Sequence, residues 1–249
     1  DSKVGLAHRR LSIIDTSAGG KQPIVSHSGR YIIVFNGEIY NHKDLLKELL
    51  ITSKINLKGK SDTEILLNCI EEWGLNSTLK KLIGMFAIGL YDKKEKNIHL
   101  IRDRAGEKPL FYIVKQNNIY FASELKALLV NNKLPKKINI DALDCYLGMG
   151  YVPGEMCILD QYKKVPAASF VTFNLTSSVL SKSKYWHIPN QDIQVSNNES
   201  AIGSLVSEFE CLLEDAVAKQ MQADVPVGIL LSGGIDSSLI TAMAARNSK

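Results

Sequence analysis

Apolar and polar positions alternate over the first three quarters of the chain in a pattern typical of layered helices and antiparallel strands. A strand is predicted at 31–35, and a turn at the Asn36-Gly37-Glu38 segment that follows it. An amphipathic helix comes next, because leucines recur at helical spacing on one face. These are Leu45, Leu46, Leu49 and Leu50.

A second helix is predicted over the segment SDTEILLNCIEEW, residues 61–73. Ser61 and Glu64 stand three positions apart and form a capping box, which marks a helix start. Gly74 stands where a helix C-terminus accepts a residue of positive φ.

Four short apolar runs with polar turns between them occupy residues 85–122. The runs read MFAIGLYD, IHLIRD, LFYIV and IYFAS, and this spacing predicts an antiparallel meander. Helices beside antiparallel strands, without strand–helix–strand alternation, indicate an α+β layered domain and not a parallel sheet.

A third helix, INIDALDCYLGMG, a turn, YVPGE, and two paired strands, ASFVTFNL and SVLSKSKYW, complete this part. The polar stretch 187–200 separates it from the rest, which predicts one domain over 1–189 and the start of another over 190–249. In the second part a long amphipathic helix precedes an apolar strand, VPVGILL, and a glycine loop. The apolar face of that helix holds Ile202, Leu205, Val206, Phe209, Leu212, Leu213, Ala216 and Val217.

Composition narrows the functional classes. Of the 249 residues, 45% are hydrophobic, which is typical of a folded protein. Lysine and arginine exceed aspartate and glutamate by only four, 30 against 26, and are scattered, so no nucleic-acid partner is expected. No apolar run reaches the roughly 20 residues that cross a bilayer, so no membrane partner is expected either.

Cysteine and histidine spacing carries further expectations. The four cysteines form no CxxC pair, which favours free thiols in the cytoplasm, each as a buried small hydrophobe. The histidines show no metal-binding spacing, so no protein metal site is predicted. The residues concerned are Cys69, Cys145, Cys157 and Cys211, and His8, His27, His42, His99 and His187.

The chain begins with Asp and not Met, so we interpret both ends as cut and expect this piece alone to be inactive. Homodimer formation is left open.

The segment LLSGGIDSS, residues 230–238, predicts a strand end, a tight loop and a helix start. Gly233 and Gly234 permit positive φ and close backbone approach, and the first N–H groups of the helix would converge on one anion. The spacing and the missing lysine exclude a Walker A loop. An ordinary strand-to-helix turn would explain the two glycines as well.

Arg10, Asn36, Glu38 and Asp62 form a candidate amino-acid site. Arginine binds a carboxylate bidentately, two acids hold an ammonium group, and an amide beside a flexible N–H stabilises an oxyanion. Simpler explanations exist, since Arg10 could be a surface charge, Asn36 part of a turn and Glu38 simply an exposed residue. In the segment that holds Asp62, the capping box already explains Ser61 and Glu64. The set is more informative than any member.

Seven segments, in order, resemble the glutaminase domain of class II glutamine amidotransferases. They are HRRLSIID, GGKQPI, FNGEIYNH, SDTEILL, GMFAIGLYD, RDRAGEKPLFY and ASELKALL. The later SGGIDSS resembles the PP-loop of ATP pyrophosphatases, and the whole order is similar to the family of glutamine-hydrolysing asparagine synthetases. The resemblance implies a four-layer α/β/β/α sandwich of the Ntn-hydrolase type with antiparallel sheets, followed by the beginning of a Rossmann-like α/β PP-loop domain.

The resemblance also implies residue roles. Arg10 would bind the glutamine carboxylate, Glu38 and Asp62 its amino group, and Asn36 would contact the substrate and form the oxyanion hole with the Gly37 N–H. The nucleophile would be a cysteine at the mature N-terminus, upstream of residue 1. The ATP-binding positions would be Leu231, Ser232, Gly233, Gly234, Asp236, Ser237 and Ser238.

The implied reaction is the ATP-dependent synthesis of asparagine from aspartate through an acyl-adenylate, with ammonia supplied by glutamine. Its substrates are glutamine, aspartate and ATP, and Mg²⁺ accompanies the ATP phosphates. Two alternatives stay open. One is a related amidotransferase that aminates another carboxylate, as in surface-polysaccharide or β-lactam-type biosynthesis, and the other is a non-catalytic relative that binds an amino acid or a nucleotide. An enzyme acting on tRNA is disfavoured by the dispersed charge.

Overall fold

The computed structural model describes residues 4–52, 57, 59–189 and 199–248. The chain divides into two compact units, Asp1–Leu11 with Ser17–His187, and Ser12–Thr16 with Ile188–Lys249. The predicted domain boundary between 189 and 190 falls at the start of stretch 190–198, which lies outside the described residues.

The first unit is built from short strands and helices. Its elements are a 3-10 helix (Ala18–Gly20), β1 (Ile24–Val25), β2 (Tyr31–Ile39), α1 (His42–Thr52), α2 (Asp62–Trp73), α3 (Leu75–Lys81), β3 (Gly84–Asp92), β4 (Asn97–Arg102), β5 (Phe111–Lys115), β6 (Asn118–Ala122), α4 (Leu125–Leu129), α5 (Ile140–Met149), β7 (Lys163–Lys164), β8 (Ser169–Asn174) and β9 (Leu180–Lys184). The second unit contains α6 (Glu199–Gln220) and α7 (Ile235–Asn247). Before β1, residues 4–11 form no strand.

The strands form two antiparallel sheets. The large sheet has the order β1-β2-β3-β4-β8-β9, and the small sheet has the order β6-β5-β7. The predicted single meander over 85–122 is therefore wrong, because β3 and β4 pair in the large sheet whereas β5 and β6 pair in the small one. The loop 103–110 carries the chain from one sheet to the other.

Opposite faces of β2 border two different cores. Ile33 and Phe35 are buried with Leu66 of α2 on the helix side of the large sheet. Ile32, on the other face, packs in a core that also holds Phe121 of β6. This second core lies between the two sheets, as the alternation of side chains along a strand requires.

A third core covers the outer face of the small sheet. It joins Ile113 of β5 to Leu128 of α4 and to Leu159. The layers are thus helices, large sheet, small sheet and a short helix, which confirms the predicted α/β/β/α sandwich with antiparallel sheets.

The predicted helix signals are largely confirmed. Ser61 caps α2, where its Oγ accepts from the Glu64 N–H at 3.2 Å, and the Glu64 carboxylate accepts from the Gly59 N–H at 2.8 Å. Gly74 ends α2 with φ of 77°. The apolar face of α1 is narrower than predicted, because Leu45 and Leu49 are buried but Leu50 is exposed.

The second unit pairs α6 with α7. Val217 of α6 packs on Met243 and Ala244 of α7. The remaining apolar face of α6 is mostly exposed. Segment 12–16 belongs to this unit, since the Asp15 N–H donates to the Asp224 carboxylate at 2.8 Å and the Asp224 N–H donates to the Ile13 carbonyl at 3.0 Å.

The predicted strand VPVGILL, residues 225–231, is wrong for the structure described. The segment leads into the glycine loop but pairs with no strand in the described part of the chain. A strand exists only when a neighbour accepts its backbone hydrogen bonds, so an apolar pattern alone does not produce one. Leu230 is 95% exposed as a result.

Candidate functional site

Strand β2 continues through Asn36, Gly37 and Glu38 without a turn. Gly37 pairs with Phe86 of β3. Its φ is 152°, and a Cβ placed there would lie 2.0 Å from the Met85 carbonyl oxygen. The predicted turn is therefore wrong, because the glycine serves a close approach of two strands and not a reversal of the chain.

The N–H of Gly37 points away from β3, towards the open edge of β2. Phe86 uses its own backbone groups on the opposite side, where its N–H donates to the Asp103 carboxylate at 3.1 Å and its carbonyl accepts from the Asp103 N–H at 2.9 Å. Gly37 and Phe86 therefore form a non-hydrogen-bonded pair of the antiparallel ladder, in which the backbone N–H and carbonyl of each residue point away from the partner strand. The Gly37 N–H is thus turned to a place where a ligand can approach.

The flanking positions of the same edge are filled by side chains. Gln22 pairs with Phe35 like a short piece of strand, since its Oε1 accepts from the Phe35 N–H at 2.6 Å and its Nε2 donates to the Phe35 carbonyl at 3.2 Å. On the other side, the Ile39 N–H donates to the Asp62 carboxylate at 2.9 Å. Gly37 lies between these two anchored residues.

Glu38 and Asp62 form a pair of acids at the end of β2. Burial raises the pKa of the Glu38 carboxyl, Asp62 raises it further, and Lys108 opposes both effects. Burial also raises the pKa of Asp62, against the hydrogen bonds from the Ile39 and Thr63 N–H groups. Two acids that repel each other in a partly buried place gain from a bound cation.

Arg10 is held next to the same strand. Its guanidinium lies against Gly20, where a Cβ would come within 2.2 Å of Nη1. His8 lies near both Arg10 and Phe35, because burial and the Arg10 charge lower the pKa of His8 whereas a hydrogen bond with the Phe35 backbone opposes this. The structure therefore brings Arg10 towards the part of β2 that carries Asn36 and Glu38.

The side chain of Asn36 lies on the face of β2 that turns to the small sheet. There its Nδ2 donates to the Ser123 Oγ at 3.1 Å. Sequence reasoning missed Ser123 and Gln22 as parts of the site. Both stand in segments that carry the family resemblance, ASELKALL and GGKQPI, but nothing in the local pattern shows what they contact.

The buried Asp103 carboxylate and the half-buried Arg102 guanidinium organise the loop next to the two acids. Asp103 accepts from the N–H groups of Glu107 and Lys108 at 2.8 and 3.0 Å, in addition to Phe86. The Arg102 guanidinium donates to the carbonyls of Lys108 and Gly106 at 2.8 and 2.5 Å. The loop therefore presents Lys108 in a fixed place near Glu38.

Two of the four cysteines are buried in cores of the first unit. Cys69 is fully buried on the helix side of the large sheet, and burial raises its pKa to about 12. Cys157 is buried on the outer side of the small sheet. The expectation that all four are buried is wrong for Cys211, which is exposed on α6, and Cys145 is half-buried on α5.

The glycine loop of the second unit has the predicted loop-to-helix geometry. Gly233 has φ of 83° and Gly234 is the N-cap of α7, with no side-chain cap. The Ser237 and Ser238 hydroxyls bond the Gly234 carbonyl at 3.1 and 2.8 Å. The first N–H groups of α7 thus stay available to an anion. Asp236 lies in the first turn, and Ser232 Oγ lies 3.0 Å from Ser237 Oγ.

The part of the chain that the structure describes holds neither a group of metal ligands nor a helix that could span a membrane. Within residues 4–52, 57, 59–189 and 199–248, no three His, Cys, Asp or Glu side chains are grouped so as to hold a metal ion. No helix in this part of the chain is both long and apolar enough to cross a membrane.

Two family models match the chain. One, described as a glutamine amidotransferase domain, matches residues 1–186, and the other, described as asparagine synthase, matches residues 208–249. The first covers the unit that contains Arg10, Asn36, Glu38 and Asp62. The second covers the glycine loop.

Curated relatives match almost the whole chain. Glutamine-hydrolyzing asparagine synthetase 2 of Bacillus subtilis (strain 168) is 34% identical over an alignment of 254 residues. The alignment covers 98% of this chain and 33% of that protein. A putative glutamine-hydrolyzing asparagine synthetase 2 of Methanocaldococcus jannaschii is 35% identical over an alignment of 258 residues. The alignment covers 96% of this chain and 48% of that protein. The chain spans between about a third and a half of the length of these relatives.

A solved structure supports the fold. The glutamine phosphoribosylpyrophosphate amidotransferase from B. subtilis, complexed with ADP and GMP, matches with a TM-score of 0.52 at 18% identity, over 96% of this chain and 49% of that one. This likeness confirms the predicted type of sandwich.

Proposed function

The chain belongs to the glutamine amidotransferase domain family, and from this membership we propose that its first unit hydrolyses glutamine to glutamate and ammonia. The observation that carries the proposal is the end of β2. There the Asp62 carboxylate accepts the N–H of Ile39, the residue after Glu38, and raises the pKa of Glu38, while the N–H of Gly37 faces the open edge of the strand. The two carboxylates would bind the ammonium group of an amino acid, and the Gly37 N–H would bind the amide of its side chain.

The three polar groups of glutamine each have a counterpart. Arg10 would hold the α-carboxylate through its guanidinium, and Glu38 and Asp62 would hold the α-ammonium. The side-chain amide would then lie by Asn36 and Gly37. When a thiolate attacks that amide, negative charge develops on its oxygen, and the Asn36 Nδ2 and Gly37 N–H would stabilise it. Collapse of this intermediate, with a proton transferred to the nitrogen, would release ammonia and leave a thioester, which water would hydrolyse to glutamate and the free thiol. By the family resemblance, the thiolate would belong to a cysteine at the mature N-terminus.

For the second unit we propose ATP binding and the use of this ammonia on a carboxylate. The exposed N–H groups at the start of α7 and the bend at Gly233 fit a polyphosphate. Ser232 and Asp236 to Ser238 would surround its pyrophosphate end. Mg²⁺ would enter with the phosphates and neutralise part of their charge.

Aspartate is the acceptor carboxylate that the named relatives favour, which would make the product asparagine. Its attack on the α-phosphate of ATP would give an acyl-adenylate and pyrophosphate, and ammonia would then displace AMP.

The direct test uses the full-length protein with glutamine, ATP, Mg²⁺ and either aspartate or another amino-acid carboxylate. With aspartate, we expect asparagine, AMP and pyrophosphate to form in equal amounts. If pyrophosphate is released with another acceptor but not with aspartate, asparagine synthesis is rejected.

Replacing Arg10 by alanine is expected to lower kcat/KM for glutamine about 30-fold, a value in the range for lost hydrogen bonds to a charged group. Synthesis from added ammonia should keep its rate, because ammonia bypasses the glutamine site. Arg9, an exposed neighbour, provides the matched control as Arg9→Ala. An equal loss with glutamine and with ammonia would remove Arg10 from glutamine binding.

Gly20→Ala is expected to raise KM for glutamine about tenfold, since the new methyl group takes the place of the Arg10 guanidinium. The fold should tolerate the change, because the displaced group is the end of a flexible side chain. Gly5→Ala is the control, as a Cβ at Gly5 would meet nothing within 4 Å. Steady-state kinetics together with thermal melting separate the two effects, and an unchanged KM would contradict the proposed place of Arg10.

A further inference from the structure

Ser123 meets the side chain of Asn36 from the opposite sheet. It follows the last residue of β6 and precedes α4, and it is half-buried. Its Oγ accepts a hydrogen bond from the Asn36 Nδ2 at 3.1 Å. The bond joins residues that are 87 positions apart in the chain, so it depends on how the two sheets pack.

The packing of the sheets aims the two side chains at each other. Val34 pairs with Gly89 across β2 and β3. A Cβ at Gly89 would lie 2.6 Å from the Phe121 ring and 2.9 Å from the Val34 side chain, so this glycine makes room for Phe121 between the sheets. Asn36 stands two residues after Val34, and Ser123 stands two residues after Phe121. Because side chains alternate along strands, Asn36 lies on the same inward face of β2 as Val34. Ser123 comes just after the end of β6, and its hydrogen bond with Asn36 places its hydroxyl at this face.

The hydrogen bond to Ser123 orients both N–H groups of the Asn36 amide. The two Nδ2 hydrogens of an asparagine amide are coplanar and point in directions about 120° apart, so an amide that gives one to Ser123 has the direction of the other determined. Terminal rotation of an asparagine side chain is otherwise broad. An oxyanion hole accelerates a reaction because its donors are already oriented before charge develops.

We propose that Ser123 is a positioning residue of the glutaminase site, which holds the Asn36 amide so that its second N–H faces the developing oxyanion. The inference rests on the proposed glutamine hydrolysis and deepens it. Ser123 itself needs no contact with glutamine, since it acts through Asn36. Its loss should therefore affect the rate of the chemical step and not the affinity for substrate.

The test is a double-mutant cycle in the full-length protein, with glutamine hydrolysis as the readout. Ser123→Ala is expected to lower kcat about five- to tenfold, the equivalent of one hydrogen bond, with KM for glutamine unchanged. In the Asn36→Ala background the same change should cost nothing more. Ser123→Thr, which keeps the hydroxyl, should retain most of the rate, and Ser183→Ala, at an exposed position of β9, should behave as the wild type.

Each result has one meaning. If Ser123→Ala does not fold, as judged by its thermal melting, Ser123→Cys takes its place, because a thiol is a weak acceptor of nearly the same size. A loss of kcat that is equal in both backgrounds, or no loss in an active enzyme, would overturn the positioning role and leave the proposed function standing. A wild-type protein that hydrolyses no glutamine would instead overturn the proposed function and this inference with it.

Discussion

Glutamine hydrolysis by the full-length protein is expected to slow by a factor of at least about 100 when Asn36 is replaced by alanine. Removal of one oxyanion-hole donor typically has an effect of this size, since the donor acts on charge that exists only in the transition state. KM for glutamine should change little, because Arg10, Glu38 and Asp62 would still bind the ground state. Synthesis from added ammonia should continue at its normal rate.

The control for Asn36→Ala is Asn132→Ala, at an exposed turn where the Asn132 side chain accepts a hydrogen bond from Lys136. Stopped assays of glutamate formation measure kcat and KM for both variants. A rate within twofold of the wild type in the Asn36 variant would refute the oxyanion role. A raised KM with normal kcat would move Asn36 from transition-state stabilisation to substrate binding.

Asp103→Ala is expected to produce the largest loss of stability. The carboxylate is completely buried and accepts three backbone N–H groups, those of Phe86, Glu107 and Lys108. Each group left without a partner costs about 1 to 3 kcal/mol. We therefore expect the free energy of unfolding to fall by about 3 to 5 kcal/mol, and the melting temperature by roughly 10 °C.

Asp103→Ala should also weaken glutamine binding, since the loop that it organises places Lys108 near Glu38. Asp103→Asn keeps one acceptor oxygen and should lose less stability than the alanine variant. The control is Asp144→Ala, at an exposed position of α5, and chemical denaturation measures all three. A free energy of unfolding for Asp103→Ala that matches this control would show that the three hydrogen bonds contribute little.

Local sequence patterns and tertiary pairing disagree at Asn36-Gly37. This dipeptide is a strong turn signal, and a strand ending at Phe35 was the natural prediction. In the structure the strand runs on to Ile39, because β3 lies alongside it over its whole length and tolerates only glycine opposite Phe86. Distant pairing decided between two conformations that the local sequence allows equally.

The same cause explains the other differences. The spacing of short strands over 85–122 predicted their existence and their turns, but not that the chain crosses between sheets after Arg102. The apolar run 225–231 has the composition of a strand, yet it pairs with no strand among the described residues. Strands depend on partners far away in sequence, whereas helices satisfy their hydrogen bonds internally. The predicted helices are accordingly confirmed, with Ser61 and Gly74 at the ends of α2.

The sequence by itself determined the layered α+β class, the helix ends and the residue types of a candidate glutamine site, because these depend on local spacing and on the order of the motifs. Only the tertiary structure decided which backbone groups face outward. It turned the Gly37 N–H to the open edge of β2 and set Gln22 and Asp62 on either side of it. It also brought Ser123, which follows β6 of the small sheet, to Asn36 of the large sheet. Those contacts join residues up to 87 positions apart, and the register of two sheets, which no local pattern contains, fixes them.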